Sequence, residues 1–277
     1  MNLHFGLSTM IYHHEQIEKL FPFLIDWKMR MVEIRPHAGH FEFRDPESIN
    51  RLKKKIDHNR ILVKAIHMPM NGVDISHPEE YDRVRSVREV QKSVIVAHRF
   101  GAGLVIIHPG GKCNTISERE SRLTQCVKSL TEILAFCRQW DVKLAIENTI
   151  PGRLGDRWEE IQQILETIAS EDAGICLDTG HYLLNQEEAA KGGFNLGNKP
   201  LNWQKKLFHI HIHDNNGNKD LHLLPGEGSF PLASFISFLK EIHYQNMLIL
   251  ELKNQNQLTS WERKIKQACE MLKTFSE

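Results

Sequence analysis

An alternation that runs the length of the chain constrains its fold more than any other feature. Short apolar, β-prone runs recur at 3–9 (LHFGLST), 30–36 (RMVEIRP), 62–69 (LVKAIHMP), 103–110 (GLVIIHPG), 142–149 (VKLAIENT), 173–181 (AGICLDTGH), 207–214 (LFHIHIHD) and 247–253 (MLILELK). Between them lie stretches with helical period, such as 121–140 and 234–243. Strand followed by helix, repeated, calls for parallel strands joined by crossovers, and eight such units close into a barrel. The expectation is an α/β fold, a single (β/α)8 barrel domain over 1–277. An open doubly wound sheet is the rival architecture, but eight evenly spaced units fit closure better. No Pro/Gly/Ser-rich linker divides the chain. The longest irregular piece, 185–203 (NQEEAAKGGFNLGNKPLNW), reads as a lid-like insertion before the seventh strand.

Charge excludes some partners. Lys+Arg and Asp+Glu both number 35, so the net charge is zero and there is no overall electrostatic footprint for nucleic acid or an anionic membrane. No apolar run approaches the roughly 20 residues of a membrane span, and the opening MNLHFGLSTM lacks a leader pattern. The five cysteines are scattered without a CxxC pair, which points to reduced thiols in a cytoplasmic protein. Histidine, at sixteen, is the unusual count.

Its placement matters more than its number. In the seventh run, side chains alternate faces, so His209, His211 and His213 share one face and Ile210 and Ile212 the other. In a barrel of this kind the active site lies where strands end and loops begin. Those positions carry His67, His108, Glu147, Asp178 and His181, His211 with Asp220 and His222 in its following loop, and Glu251. Each alone has an ordinary explanation: a hydrogen-bonded structural histidine, a carboxylate paired with Lys143 or Lys253, a capped turn at DTGH. Together, four carboxylates and five imidazoles would repel and desolvate one another without a counter-charge. Divalent cations answer that problem, and mixed carboxylate–imidazole sets suit zinc, manganese or iron.

These motifs also resemble a known family, the xylose-isomerase-like or AP endonuclease family 2 TIM barrels. The likeness spans nearly the whole chain: VEIRP, IHMPMNGVDISHP, IIHPGG, IENT, ICLDTGH, HIHDNNGNKDLHLLPGEG and LELK. It implies up to three Zn2+ ions, or Mn2+, at the barrel mouth. His67, His108 and Glu147 would hold one, Glu147, Asp178, His211 and Glu251 a second, and His181, Asp220 and His222 a third. His209 would lie deeper as a packing or supporting residue, and His213 and Asp214 would orient ligands or substrate.

The resemblance carries two chemistries. The first is a metal-dependent isomerase or epimerase acting on a small-molecule sugar or sugar phosphate through a metal-stabilised enediolate. There Glu147 and Glu251 would move the proton, with Gly226, Gly228 and Ser229 as a phosphate cradle. The second is an endonuclease IV-like trinuclear-zinc phosphoesterase, the only reading in which nucleic acid is a partner. The complete nine-ligand set favours that second chemistry. Against it, Met70 stands where such enzymes carry an aromatic that penetrates the duplex. Against the first, NNGNKD stands where tagatose-type epimerases place a substrate-binding arginine. The family-wide wording favours the isomerase or epimerase.

Overall fold

The computed structural model describes residues 3–185, 193–194, 196, 202–253 and 261–276. Eight strands, β1 (His4–Ser8), β2 (Met31–Ile34), β3 (Leu62–His67), β4 (Leu104–Ile107), β5 (Lys143–Glu147), β6 (Ala173–Asp178), β7 (Leu207–Ile212) and β8 (Met247–Leu250), each fall inside one of the eight expected runs. They pair in chain order, all parallel, and β1 closes on β8 through His4 to Leu7 against Met247 to Leu250. The fold is a single (β/α)8 barrel. Most of the 185–203 insertion expected as a lid lies outside the described residues. Phe194 within it packs against Tyr182, Phe235 and Phe238 on the barrel's outer layer.

Helices form where the sequence supplies period and caps. The helix Pro46–Asn59 starts from Asp45, whose carboxylate accepts from Glu47 and Ser48 N–H, with proline in its first turn. The helix Ile116–Cys137 opens with a capping box of Thr115 and Glu118. Their buried faces meet outward-pointing residues such as Ile107, Ile146, Ile175 and Ile210 in the main core. Each buried aliphatic side chain contributes about 1.5–3 kcal/mol. That apolar shell offsets the cost of the ionisable groups buried inside the barrel.

Inside, strand alternation repeats one arrangement. A small or apolar residue lies one step below a ligand-type residue: Ala65 under His67, Ile106 under His108, Ala145 under Glu147, Cys176 under Asp178 and Ile249 under Glu251. Ala65, Ile106, Ala145 and Cys176 form a buried cluster separate from the main core. β7 departs from the pattern by placing His209 under His211. All five cysteines are free and buried, and among the described residues no helix is long and apolar enough to cross a membrane.

Candidate metal centre

The ligand atoms of Glu147, Asp178, His211 and Glu251 all lie within 4.8 Å of one another, and so do those of His67, His108 and Glu147. Glu147 joins the two groups. Its Oε1 is 3.1 Å from His211 Nδ1, and its Oε2 is 3.2 Å from His67 Nε2 and 3.0 Å from His108 Nε2. His211 Nδ1 is also 3.0 Å from Glu251 Oε2 and 3.8 Å from Asp178 Oδ2. Asp178 and His211 are direct neighbours in the β6–β7 register, which places both at one height on the barrel wall.

Around the loop after β7 the grouping differs in part from expectation. His222 Nε2 is 3.0 Å from Asp220 Oδ2, and His181 Nε2 is 4.0 Å from the same oxygen. The tightest trio here takes His213 as its third member rather than His181. His213 Nε2, however, is engaged by both oxygens of Asp178, at 2.9 and 3.0 Å, and its ring stacks on His222 at 4.1 Å. His181 keeps an uncommitted Nε2 and so remains the better donor.

The hydrogen bonds of the outer ring nitrogens decide what the inner ones offer. His67, His181 and His222 each direct Nδ1 at a backbone carbonyl, of Met68, Asn148 and Glu251, all at 2.8 Å. A carbonyl only accepts, so Nδ1 carries the proton and Nε2 presents a lone pair. His211 is reversed: Nε2 faces Glu33 Oε2 at 2.9 Å and Nδ1 faces the carboxylates. Three imidazole lone pairs and His211 Nδ1 are thus aimed at carboxylate oxygens, and Asp220 Oδ1 is buried with no hydrogen-bond partner. Divalent cations, one to each group, would satisfy them, so the donor set fits metal.

Burial opposes a charge on His211, yet Cys176, Glu33, Glu251 and Glu147 hold its pKa well above the ordinary value, so a proton on Nδ1 takes the place that a cation would fill. Burial opposes ionisation of Glu147, yet His108 and His211 hold its carboxyl well below the usual carboxylate range. Burial likewise opposes Glu251, and His211 with Arg35 outweighs it. Burial lowers the pKa of His108, and burial followed by the His213 charge lowers that of His222. Both are therefore held neutral, the form that ligates metal. Burial pushes the Cys176 thiol well up, so it stays protonated in the absence of a metal.

Above these groups lies a cavity of about 150 Å³ lined by His108, Glu147, His181, Asp220, His222 and Glu251, with Arg35, Arg153 and Lys253 at its walls. Comparison with known proteins matches residues 22–275 to the family model described as xylose isomerase-like TIM barrel. The chain belongs to that family.

Two curated relatives illustrate its range. An uncharacterised protein of Methanocaldococcus jannaschii is 25% identical over 264 residues, 92% of this chain and 85% of that protein. A probable endonuclease 4 of Aquifex aeolicus is 25% identical over 224 residues, 76% of this chain and 77% of that protein. Among solved structures, a D-tagatose 3-epimerase-like protein superposes with TM-score 0.81 at 23% identity, covering 98% of this chain and 99% of that one. An IolI protein with a bound zinc atom gives 0.80 at 18% identity, covering 99% and 98%. These structural likenesses establish the shared fold.

In this xylose isomerase-like barrel, several functional contacts escaped the sequence reading. Glu33 on β2 is fully buried and bonds both His211 and His209 Nε2, each at 2.9 Å. Burial opposes its ionisation, but His211 and the two histidine hydrogen bonds hold its pKa at about 2. Arg35 pairs with Glu251 Oε1 at 2.7 Å, and Asn148 brackets Asp178 by bonding both its N–H and its C=O. The signal for Glu33 was present: a charged residue inside the apolar run MVEI of a strand covered on both sides.

Two expectations are corrected. Gly226 and Gly228 do not offer free amides to a phosphate, because both donate to Asp214 Oδ2, at 3.0 and 3.1 Å, while Phe230 N–H donates to Oδ1 at 2.9 Å. Asp214 itself fills the anion nest, and Ser229 Oγ donates to Asn215 O. Asp214 therefore ties the loop and does not orient substrate. The capped turn at DTGH is present, since Asp178 Oδ1 accepts from His181 N–H at 2.7 Å, and Gly180 lies in the helix Thr179–Asn185. Glycine is required there because a Cβ would run into the His213 ring.

Proposed function

We propose that this chain is a divalent-metal-dependent isomerase or epimerase of a sugar or sugar phosphate. One observation carries the reading: Glu147 and Glu251 approach His211 Nδ1 from two sides, at 3.1 and 3.0 Å, on the floor of a small cavity. Two carboxylates that flank one bound carbon skeleton can take a proton from one face and return it to the other. A bound divalent ion would supply Lewis-acid polarisation of the substrate's carbonyl and hydroxyl oxygens, which makes the neighbouring C–H acidic.

The chain's own residues do the remaining work. Glu147 is anionic and buried, so it accepts a proton in a site of low dielectric. Arg35 holds Glu251 by a short ion pair and fixes its orientation. His181 and His222, at the cavity wall, are positioned to bond substrate hydroxyls. A cavity of about 150 Å³ suits a small polyol. Met70 is only partly buried but packs against the core, so it does not project as a wedge for a duplex.

A second reading, phosphoester hydrolysis of the endonuclease 4 type, is favoured by one observation: Asp220, His222 and His181 form ligand-type geometry that proton transfer does not require. Incubating zinc- or manganese-loaded protein with a panel of ketoses, aldoses and their phosphates in D2O, with NMR detection, separates the two. Incorporation of deuterium beside a carbonyl is the expected result. Cleavage of an abasic-site duplex, with no exchange on any sugar, would overturn the proposal.

A further inference from the structure

Two cations stand where the loops after β4 and β5 clasp each other. Cys113 N–H donates to Gly152 O at 2.9 Å and Leu154 N–H to Gly111 O at 3.0 Å, so Lys112 and Arg153 face each other in an antiparallel bridge. Bonds at both flanking positions make this a non-hydrogen-bonded pair, whose Cα atoms approach to about 4.5 Å with side chains close together. Like charges directly opposite in a ladder are destabilising. The nearby acids are already engaged by other bases: Asp74 by Arg122 at 2.7 Å, Asp82 by Arg85 at 3.0 Å, and Asp156 and Glu160 jointly by Arg119 at 2.8 and 2.6 Å. Among the described residues, no ion pair neutralises the Lys112 or Arg153 side chain.

The clasp is nonetheless held firmly. Arg119 donates to Arg153 O at 3.2 Å while anchored by its two acids. Gly111 N–H donates to Asp74 Oδ1 at 3.2 Å, and a Cβ at Gly111 would strike that carboxylate. Lys112 and Arg153 line a cavity of about 450 Å³ that also reaches His108. Arg153 and His108 both line the 150 Å³ cavity over the metal ligands as well. A molecule placed under the clasp is therefore continuous with the candidate metal centre.

We propose that the Lys112–Arg153 clasp binds the phosphoryl group of the substrate, which makes that substrate a phosphorylated sugar. The inference rests on the sugar-directed reading above. A guanidinium fork beside an ammonium matches a phosphate dianion in geometry and in charge. It replaces the cradle that Asp214 occupies. A nucleic-acid backbone would need a basic track, whereas Asp74 and Asp82 line this same cavity.

The test is titration of inorganic phosphate into chelator-treated protein by calorimetry, so that binding is read without metal or turnover. The wild type should bind, and the double variant Lys112→Met, Arg153→Met should weaken binding by roughly tenfold or more, the loss of charge-assisted hydrogen bonds. On reloading, the double variant should take up as much zinc as the wild type. Should it fail to fold, the single variant Lys112→Met, at an exposed position, carries the test with a smaller weakening. Equal phosphate affinity in wild type and variants would overturn the assignment, and so would binding that appears only after metal is added. A short DNA duplex that displaces phosphate from the wild type and fails to bind the double variant would also overturn it. Phosphate bound at the clasp with no deuterium exchange on any sugar would leave the anion site standing and sink the isomerase reading instead.

Discussion

His211 Nε2 and Glu33 Oε2 meet 2.9 Å apart, buried inside the barrel and joined across 178 residues of sequence. The contact holds Nε2 and turns Nδ1 toward Glu147, Asp178 and Glu251. His209 presses the same oxygen from below, also at 2.9 Å. In the proposed site Glu33 would thus support His211 from behind.

Replacing Glu33 with Gln should therefore weaken metal without dismantling the fold. Gln presents a neutral acceptor in place of a carboxylate, and losses of this kind typically cost about 10–100-fold in metal affinity. Competition with a zinc chelator measures it. Unchanged zinc affinity would mean that the Glu33 contact is only packing.

Replacing Glu147 with Gln removes the group that joins the His67–His108 pair to His211. Activity should fall by at least about three orders of magnitude, because proton transfer and ligation are lost together. Metal counts by mass spectrometry should fall by one or more ions per chain. A variant with full turnover would remove Glu147 from the mechanism.

Gly180→Ala should be far more costly than a methyl group on most helices. The added Cβ lands on the His213 ring, which is pinned by Asp178 and stacked on His222. Overpacking of this kind typically costs about 1–3 kcal/mol. Thermal unfolding should show a lowered Tm, and metal uptake should fall with it because Asp178 is disturbed.

His40 sets a pH dependence remote from the metal centre. Burial lowers its pKa to about 4 from an ordinary value of 6.5, against the opposing hydrogen bond to Glu15 O at 2.6 Å. The unfolded chain then binds the extra proton first as pH falls. Stability is fully present above pH 6.5 and is lost as pH drops towards 4, by about 3 kcal/mol at most. His40→Asn retains a donor and removes the titration, so its denaturant midpoint should fall less steeply across that window. Parallel slopes in the two proteins would exclude His40 as the source.

The barrel was legible because its information is local: eight apolar runs, six of them with a ligand-type residue at the end. That His67, Glu147 and Glu251 gather at one mouth could be read from strand position alone. Glu33 showed itself only as a charge inside an apolar run, and its role and that of Arg35 lie in contacts to His211 and Glu251 on other strands of the closed sheet. The glycines of PGEG were read as an anion nest, and they do form one. Its anion is Asp214 of the same chain, a pairing that residue type cannot announce.

The last prediction separates the two chemistries and turns on Asp220. His222 is a poor target, because its Nδ1 donates to Glu251 O at 2.8 Å and its loss would disturb the central carboxylate. Asp220→Asn is cleaner: it keeps the shape, removes the charge held near His222 and Lys253, and leaves the groups at His211 untouched. Burial opposes the ionisation of Asp220, yet His222 and its neighbours hold its pKa far below the ordinary value, so the wild-type group is anionic at any working pH. If proton transfer between Glu147 and Glu251 is the chemistry, kcat for the sugar should stay within about tenfold while KM rises, because only substrate positioning is touched. If hydrolysis is the chemistry, a third ion stabilises the leaving oxygen, and kcat should drop by several orders of magnitude with one metal lost. Measuring KM, kcat and zinc content on the same variant decides between them. A collapse of kcat with KM unchanged would favour hydrolysis and end the isomerase reading.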